Sequence, residues 1–225
     1  MTELKLDWCS YKAAKYAVEH WHYSKSMPAG KSVKIGVWEN EKFIGAIIFS
    51  MGANRYMSSP YKLEVQEACE LTRVALRSHE TPVSKMLSLS IKMLKSSNPG
   101  LRLIISYADS NQGHLGGIYQ ATNWVYEGEF ANERGILING NLVHRRTINA
   151  RYGTSSIDFL QNHIDKKAQV VTGTEKYKYL YPPDDDMRKQ IEPLRKPYPK
   201  RGRGEIDNAS QSNEKTGGAS PTRPL

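Results

Sequence analysis

Hydrophobic residues recur at helical spacing near the start of the chain and then alternate with polar residues as in strands. Four apolar side chains follow Ser10, which is a favoured N-cap residue type, so we expect a helix over residues 11–20. Residues 33–38 and 43–49 are strand-like runs separated by the polar residues 39–42. This short polar connection predicts a β-hairpin.

The next part of the pattern predicts a strand and a second helix. Residues 69–76 form another strand-like run. Thr81 is expected as the N-cap of the helix, with Pro82 at its first helical position and apolar residues following at helical spacing. The sequence Asn-Pro-Gly at residues 98–100 ends this helix.

A buried strand, a polar corner and a short helix are packed into residues 101–128. The strand is predicted over residues 103–105, and a flexible pair, Gly116 and Gly117, precedes the helix. Ligands bind at the carboxyl ends of strands in open α/β sheets, so the corner is predicted to bind a ligand or carry chemistry. The alternative is that Asp109 or Ser110 only caps the helix. The polar residues of the corner are Tyr107, Asp109, Ser110, Asn111, Gln112 and His114.

The remaining chain completes the predicted fold. A strand is expected over residues 124–130, and the strands 136–138 and 142–148 flank a hairpin turn, Asn-Gly-Asn. The order of elements predicts a mixed α/β (α+β) sheet in one domain over residues 1–200, although periodicity alone does not distinguish this arrangement from other α+β folds. Residues 204–225 contain almost no large apolar side chains, so we expect a disordered tail.

Charge indicates a polyanionic partner. The 225 residues carry 32 Lys and Arg against 23 Asp and Glu, a net charge of +9. Residues 176–203 contain nine Lys or Arg and four Asp or Glu, so this segment supplies +5 of that charge. Such concentration favours a basic C-terminal binding surface over an evenly solvated face.

Cysteine usage and the N-terminus indicate a cytoplasmic protein. Cys9 and Cys69 have no metal-type spacing, and two cysteines do not make a disulfide framework. The first ten residues lack the pattern of a signal peptide, and no apolar run reaches transmembrane length. We therefore expect no membrane partner.

Three motifs resemble those of a known family. They are YADSNQGHLGGIYQATNWVYEG at residues 107–128, HWHYSKSMP at residues 20–28 and KYKYLYPPDDDMRKQI at residues 176–191. They are similar to motifs of the phage Mom family of DNA adenine modification proteins. The resemblance implies a GNAT-like acyltransferase fold and the addition of an acetamide-type (carbamoylmethyl) group to N6 of a flipped adenine in double-stranded DNA. It also implies protection of phage DNA from host restriction.

The resemblance, together with residue chemistry, selects the candidate catalytic residues. Adenine N6 is a poor nucleophile and needs a proton acceptor, which Asp109 supplies, with His114 as a second acid/base candidate. His22, Tyr23 and Ser24 offer an imidazole, a phenol and a hydroxyl that bind a metal, orient the donor or hydrogen-bond the base. For His114 and Tyr23 a purely structural role is the alternative. The sequence lacks two-histidine, one-carboxylate spacing for iron, but remote ligands such as Asp109 leave a metal site open.

The donor is not identified by the sequence. GNAT enzymes hold the pyrophosphate of acyl-CoA on the backbone amides of a glycine-containing loop, whereas the corresponding connection here, RSHETPVSKML, has no glycine. An acyl-CoA donor is therefore doubtful. Ser84 and Lys85, near the start of the second helix, are the candidates for holding another anionic donor.

Basic residues near the C-terminus are predicted to contact DNA phosphates, and interleaved tyrosines to stack on an unpaired base. The alternation KYKYLY is equally typical of a strand with one tyrosine face packed on the core. The predicted contacts are Arg145, Arg146, Arg151, Lys176, Lys178, Arg188 and Lys189.

Three other functions are alternatives. A GNAT-like N-acyltransferase acting on a small-molecule or protein amine would share the fold but would not need the basic segment. A DNA-binding module without catalysis would leave the polar corner unexplained. The sequence argues against an adenine N6 methyltransferase, because Tyr181-Pro182-Pro183-Asp184 is not the Asp/Asn-Pro-Pro-aromatic motif.

Overall fold

The computed structural model describes residues 2–200 except 53, 55, 131, 132, 144 and 173–175; the side chains of residues 111, 133, 134 and 146 are also outside the description. Residues 201–203 of the basic segment and the tail over 204–225, predicted to be disordered, lie outside the described residues. The strands are β1 (Leu4–Trp8), β2 (Ser32–Glu39), β3 (Lys42–Ser50), β4 (Ala68–Leu76), β5 (Leu103–Asp109), β6 (Val125–Phe130), β7 (Glu133–Ile138), β8 (Asn141–Val143), β9 (Gln169–Thr172) and β10 (Lys176–Tyr181). The helices are α1 (Tyr11–Trp21), α2 (Val83–Ser97), α3 (Gly117–Gln120), α4 (Arg145–Tyr152), α5 (Ile157–His163) and α6 (Asp185–Ile191).

Seven strands form the main sheet in the order β1-β2-β3-β4-β5-β10-β6. Neighbours are antiparallel except β4 and β5, which are parallel and pair only over Ala68–Glu70 and Leu103–Ile105. Beyond this pairing the hydroxyl of Ser106 donates to the carbonyl of Leu71 (2.9 Å), so a side chain connects the strands where the backbone ladder has ended. The mixed α/β fold class is confirmed, and the sheet opens between two central strands.

Helices cover both faces of the main sheet. α2 packs on the face that contains Ile47 of β3 and Ile104 of β5. α1 packs on the opposite face against Ile48, and α6 packs on that same opposite face against Ile105. Side chains alternate between faces along a strand, so Tyr107 and Asp109 follow Ile105 onto the face of α1 and α6.

A second, three-stranded sheet in the order β8-β7-β9 is inserted between β6 and β10. Together with α4 and α5 it has its own hydrophobic core, which includes Ile136, Ile148 and Leu160. The predicted hairpin at Asn139-Gly140 is confirmed, and both residues have positive φ. The predicted strand 142–148 is wrong beyond Val143: the chain turns into α4, which buries Ile148 against the inserted sheet.

Most predicted elements of the main sheet are confirmed within a residue or two. Ser10 caps α1, because its hydroxyl accepts from the amide of Ala13 (3.2 Å). Thr81, however, is not the cap of α2: Pro82 takes that position, and the amide of Thr81 donates to Glu39 (2.6 Å). Among the described residues, none of the helices has both the length and the apolar character that crossing a bilayer requires.

Candidate functional site

The predicted catalytic residues lie where β5 ends and where the chain leaves α1. Asp109 is the last residue of β5 and is paired in register with Lys176 of β10. A 3₁₀ turn over Ser110–Gln112 follows, and the amide of His114 donates to the Asp109 carbonyl (3.2 Å). α3 begins only at Gly117, with Gly116 at its N-cap, so neither Asp109 nor Ser110 caps that helix.

His22 forms the floor of this site. Its ring is buried, and Nδ1 accepts from the backbone amide of Ser24 (3.1 Å) while lying 2.8 Å from the Ser24 hydroxyl. A neutral ring that accepts at Nδ1 carries its proton on Nε2. The pKa of His22 is lowered to about 4. Burial is the largest cause, and the nearby charges of Arg73, His114 and Lys25 lower the pKa in the same direction. The imidazole is therefore neutral at physiological pH.

Tyr23 extends from this floor towards the corner. Its ring is half exposed, stacks on His22 with 4.3 Å between centroids and lies 5.9 Å from the ring of His114. Burial raises the pKa of the Tyr23 phenol, and the negative charge of Asp109 raises it further. The structure thus brings together the two segments that carry the predicted catalytic residues.

Arg73 of β4, a residue that the sequence pattern does not single out, also belongs to this group. Its Nε donates to the carbonyl of Ser26 (3.1 Å), and its Nη1 donates to the carbonyl of Thr72 (2.7 Å). Burial lowers the pKa of the guanidinium, and the charges of Tyr23 and Glu70 oppose that effect. One sequence signal could have identified Arg73: two charged residues, at positions 70 and 73, lie inside a strand whose sheet has helices on both faces.

The opening between β4 and β5 connects the site with the other face of the sheet. The Ser106 hydroxyl, which bonds to Leu71, is also hydrogen-bonded to the hydroxyl of Tyr119 in α3 (2.8 Å). Burial, with a smaller contribution from the neighbouring Tyr23, raises the pKa of Tyr119 to about 12. Tyr119 is therefore protonated at neutral pH, and its hydroxyl stands beside the opening.

Tyr179 of β10 is hydrogen-bonded to the polar corner. The Tyr179 hydroxyl donates to the carbonyl of Leu115 (2.5 Å), and the side-chain Nε2 of Gln120 donates to the same carbonyl (3.0 Å). Tyr179 is fully buried in the α2-side core, with Tyr177 and Tyr181 packed against that core. The alternative interpretation of KYKYLY, a strand with its tyrosine face on the core, is confirmed.

The basic residues predicted to contact DNA have different surroundings. Lys176 and Lys178 lie on the face of β10 opposite the tyrosines, which is the face of the site. Lys178 is already paired with Glu127 (2.9 Å), and the hydroxyl of Tyr61 donates to that carboxylate (2.7 Å). The charge of Lys178 is therefore already paired within the protein. Among the described residues, Lys176 forms no such ion pair.

α6 and α4 carry the other predicted contacts. Arg188 donates to the carbonyl of Asn123 (3.1 Å), and exposed Lys189 lies 3.7 Å from Asp186. Arg145 donates to the carbonyl of Ser155 (2.7 Å). Arg151 lines a cavity of about 250 Å³ between α4 and the β7–β8 hairpin. The side chain of Arg146 lies outside the described residues.

The predicted donor residues stand apart from this site. Ser84 and Lys85 are in the first turn of α2, on the opposite face of the sheet from α1 and α6. For a metal, the described side chains contain no group of three His, Cys, Asp or Glu residues close enough to hold an ion.

The low pKa of His22 predicts an acid-sensitive fold. An unfolded histidine titrates near its ordinary pKa of 6.5, whereas folded His22 remains neutral down to about pH 4. Between about pH 6.5 and pH 4 the histidine is therefore protonated in the unfolded state but not in the folded state. The free energy of unfolding falls as pH decreases through this range, by as much as roughly 3 kcal/mol. Urea denaturation from pH 7 to pH 4 measures this loss.

His22→Gln should flatten the dependence of stability on pH. His163→Gln, which replaces an exposed histidine on α5, should leave that dependence unchanged. Equal dependence in the wild-type protein and both variants would contradict the prediction.

Comparison with known proteins gives consistent relatives. The profile of the Mom protein family matches residues 3–200. The chain is 25% identical over 207 residues to the methylcarbamoylase Mom of Escherichia phage Mu, which covers 88% of this chain and 84% of the relative. A probable GNAT-family acetyltransferase from Chromobacterium violaceum is similar at 8% identity with a TM-score of 0.45, over 80% of this chain and 82% of its own. An N-acetyltransferase from Staphylococcus aureus Mu50 is similar at 11% identity with a TM-score of 0.43, over 80% and 97%.

Proposed function

Because this chain belongs to the Mom protein family, we propose that it is a DNA-modifying transferase that adds an acetamide-type group to N6 of adenine in phage DNA. The relative from phage Mu is named a methylcarbamoylase, which supports the type of group. The observation that carries the proposal is the convergence of Tyr23 and His114 with Asp109. Modified adenines would block the major-groove contacts by which restriction endonucleases recognise their sites.

Four residues of the site have proposed roles in this reaction. The N6 amine attacks the carbon of the donor group, the donor's leaving group departs, and one N6 proton passes to the Asp109 carboxylate. The half-exposed ring of Tyr23 stacks on the flipped base, as aromatic side chains do with extruded nucleotides. Neutral His22 supports that ring from behind, and Arg73 offers a guanidinium to an oxygen of the donor.

DNA is proposed to lie over the face that carries α1 and α6. Lys176 is at the end of β10 beside Asp109, and Lys189 is exposed on α6 of the same face. A duplex on this face would place its phosphates against these cations while one adenine reaches the site. α2 covers the opposite face, so basic residues on α2 serve as controls.

Replacing Arg188 and Lys189 together by Ala should weaken binding to every duplex sequence. Each lost phosphate contact lowers the dependence of log K on log salt by roughly one, so the slope falls by up to about two. Base preference should not change, since phosphates carry no base identity. Affinities for several duplexes at several salt concentrations measure both effects. Lys92→Ala on α2 removes a charge from the opposite face and should leave the slope unchanged; an unaltered slope in the double variant would exclude α6 from the DNA surface.

Nucleoside mass spectrometry tests the proposed function directly. DNA from cells that express the protein is digested and searched for an adenosine with an acetamide-type substituent, with DNA from cells without the protein as the control. The modified nucleoside should appear only with the protein. Unmodified adenosine together with acylated small amines or proteins would instead establish the alternative, a GNAT-like N-acyltransferase.

A further inference from the structure

The connection from β4 to α2 is bonded to a carboxylate of the same chain. Glu39, at the end of β2, is only 7% exposed. Its Oε2 accepts from the amide of Glu80 (3.0 Å), and its Oε1 accepts from the amide of Thr81 (2.6 Å). Burial opposes ionisation of Glu39, yet hydrogen bonds from Thr81 and Glu80 hold the pKa of the carboxyl below its usual value. Glu39 is thus an anion bound by backbone amides just before a helix.

Two further positions of the connection offer no unpaired N–H to an anion. The amide of Arg77 donates to the carbonyl of Ile44 (2.9 Å), and Pro82, at the N-cap of α2, has no N–H. The carboxylate of Glu80 is bonded to the hydroxyl of Thr2 (2.6 Å), which adds a second negative charge. A diphosphate placed here would lose the amides of Glu80 and Thr81 to Glu39 and would meet two carboxylates.

We infer that Glu39 occupies the position at which the GNAT-like fold would hold the pyrophosphate of acyl-CoA, and that the donor of this protein is not anchored at α2 through a nucleotide diphosphate. The fold implies acyl-CoA, but the residues at the start of α2 do not fit it. The inference rests on the proposed function only in assuming that a donor exists. The occupied amides are a property of the chain and are measured without DNA.

Direct titration with CoA, acetyl-CoA and inorganic pyrophosphate tests this inference. The wild-type protein should show no saturable binding up to about 1 mM, where an affinity of that order corresponds to only about 4 kcal/mol. Glu39→Ala frees the two amides and removes a charge, so it should bind pyrophosphate or CoA at least about tenfold more tightly than wild type. Glu41→Gln removes a carboxylate from the same hairpin without freeing those amides, and should behave as wild type.

Amide hydrogen exchange keeps the inference testable if Glu39→Ala does not fold. In the wild-type protein the amides of Glu80 and Thr81 should be protected, and about 1 mM CoA should leave their exchange unchanged. Saturable binding of CoA by wild type, or a change in exchange at Glu80 and Thr81 on adding CoA, would overturn the inference. So would a folded Glu39→Ala variant that binds neither ligand. Each of these measurements is independent of the adenine product, so failure here and failure of the proposed function are distinguishable.

Discussion

Asp109→Asn should abolish modification of DNA while the fold and the affinity for DNA remain. The change is nearly isosteric, so the end of β5 and its pairing with Lys176 are expected to survive. An amide does not accept the proton that N6 loses, and removing a general base costs roughly 10²- to 10⁴-fold in rate. The rate of nucleoside modification, measured with purified protein or in cells, should fall by that factor.

The matched control for this variant is Asp7→Asn, on the exposed edge strand β1. It makes the same chemical change away from the site and should keep the wild-type rate. Thermal denaturation and DNA binding of Asp109→Asn then separate catalysis from folding. A folded variant that modifies DNA near the wild-type rate would show that Asp109 has a structural role and that the proposed mechanism lacks its base.

Local sequence signals predicted the elements that carry the candidate site. Ser10 predicted the start of α1 and, through it, the place where His22 and Tyr23 leave the helix, because N-capping is decided within one turn. The strand before Asp109 and the helix after Gly116 were likewise visible as periodicity. What connects these segments is non-local: Tyr23 meets His114 across more than ninety residues of chain.

The missed features depend on strand pairing and on packing. Arg73 lies near Tyr23 because α1 packs on β4 and the segment after α1 accepts a hydrogen bond from Arg73 at Ser26, a non-local contact that no local pattern encodes. The inserted sheet was missed for a related reason. Its α4 is mostly polar, and it becomes a helix by burying Ile148 on strands that precede it. The residues after Val143 fit a longer strand by pattern alone, since alternation over a few residues is compatible with both structures.

Gly116→Ala should destabilise the protein and impair modification together. Gly116 has φ +78°, and a Cβ there would lie 2.3 Å from Cε2 of Tyr179, a fully buried ring. The left-handed conformation costs a non-glycine residue roughly 1–2 kcal/mol. Displacing the Tyr179 ring adds a typical overpacking cost of about 1–3 kcal/mol. We expect a loss of about 2–5 kcal/mol in the free energy of unfolding from these two costs.

Variants of two neighbouring glycines distinguish the cost of the left-handed conformation from the cost of displacing the Tyr179 ring. Gly113 also has positive φ, but a Cβ there meets nothing within 4 Å, so Gly113→Ala should lose only the conformational part, roughly 1–2 kcal/mol. Gly117 has neither constraint, and Gly117→Ala should be neutral or slightly stabilising at the start of α3. Urea denaturation of the three variants gives the free energies, and the modification rate shows whether the corner has moved. Equal losses for Gly116→Ala and Gly113→Ala would mean that the Tyr179 ring yields to the added methyl group. In that case the contact between β10 and the turn does not hold Asp109 and His114 in place.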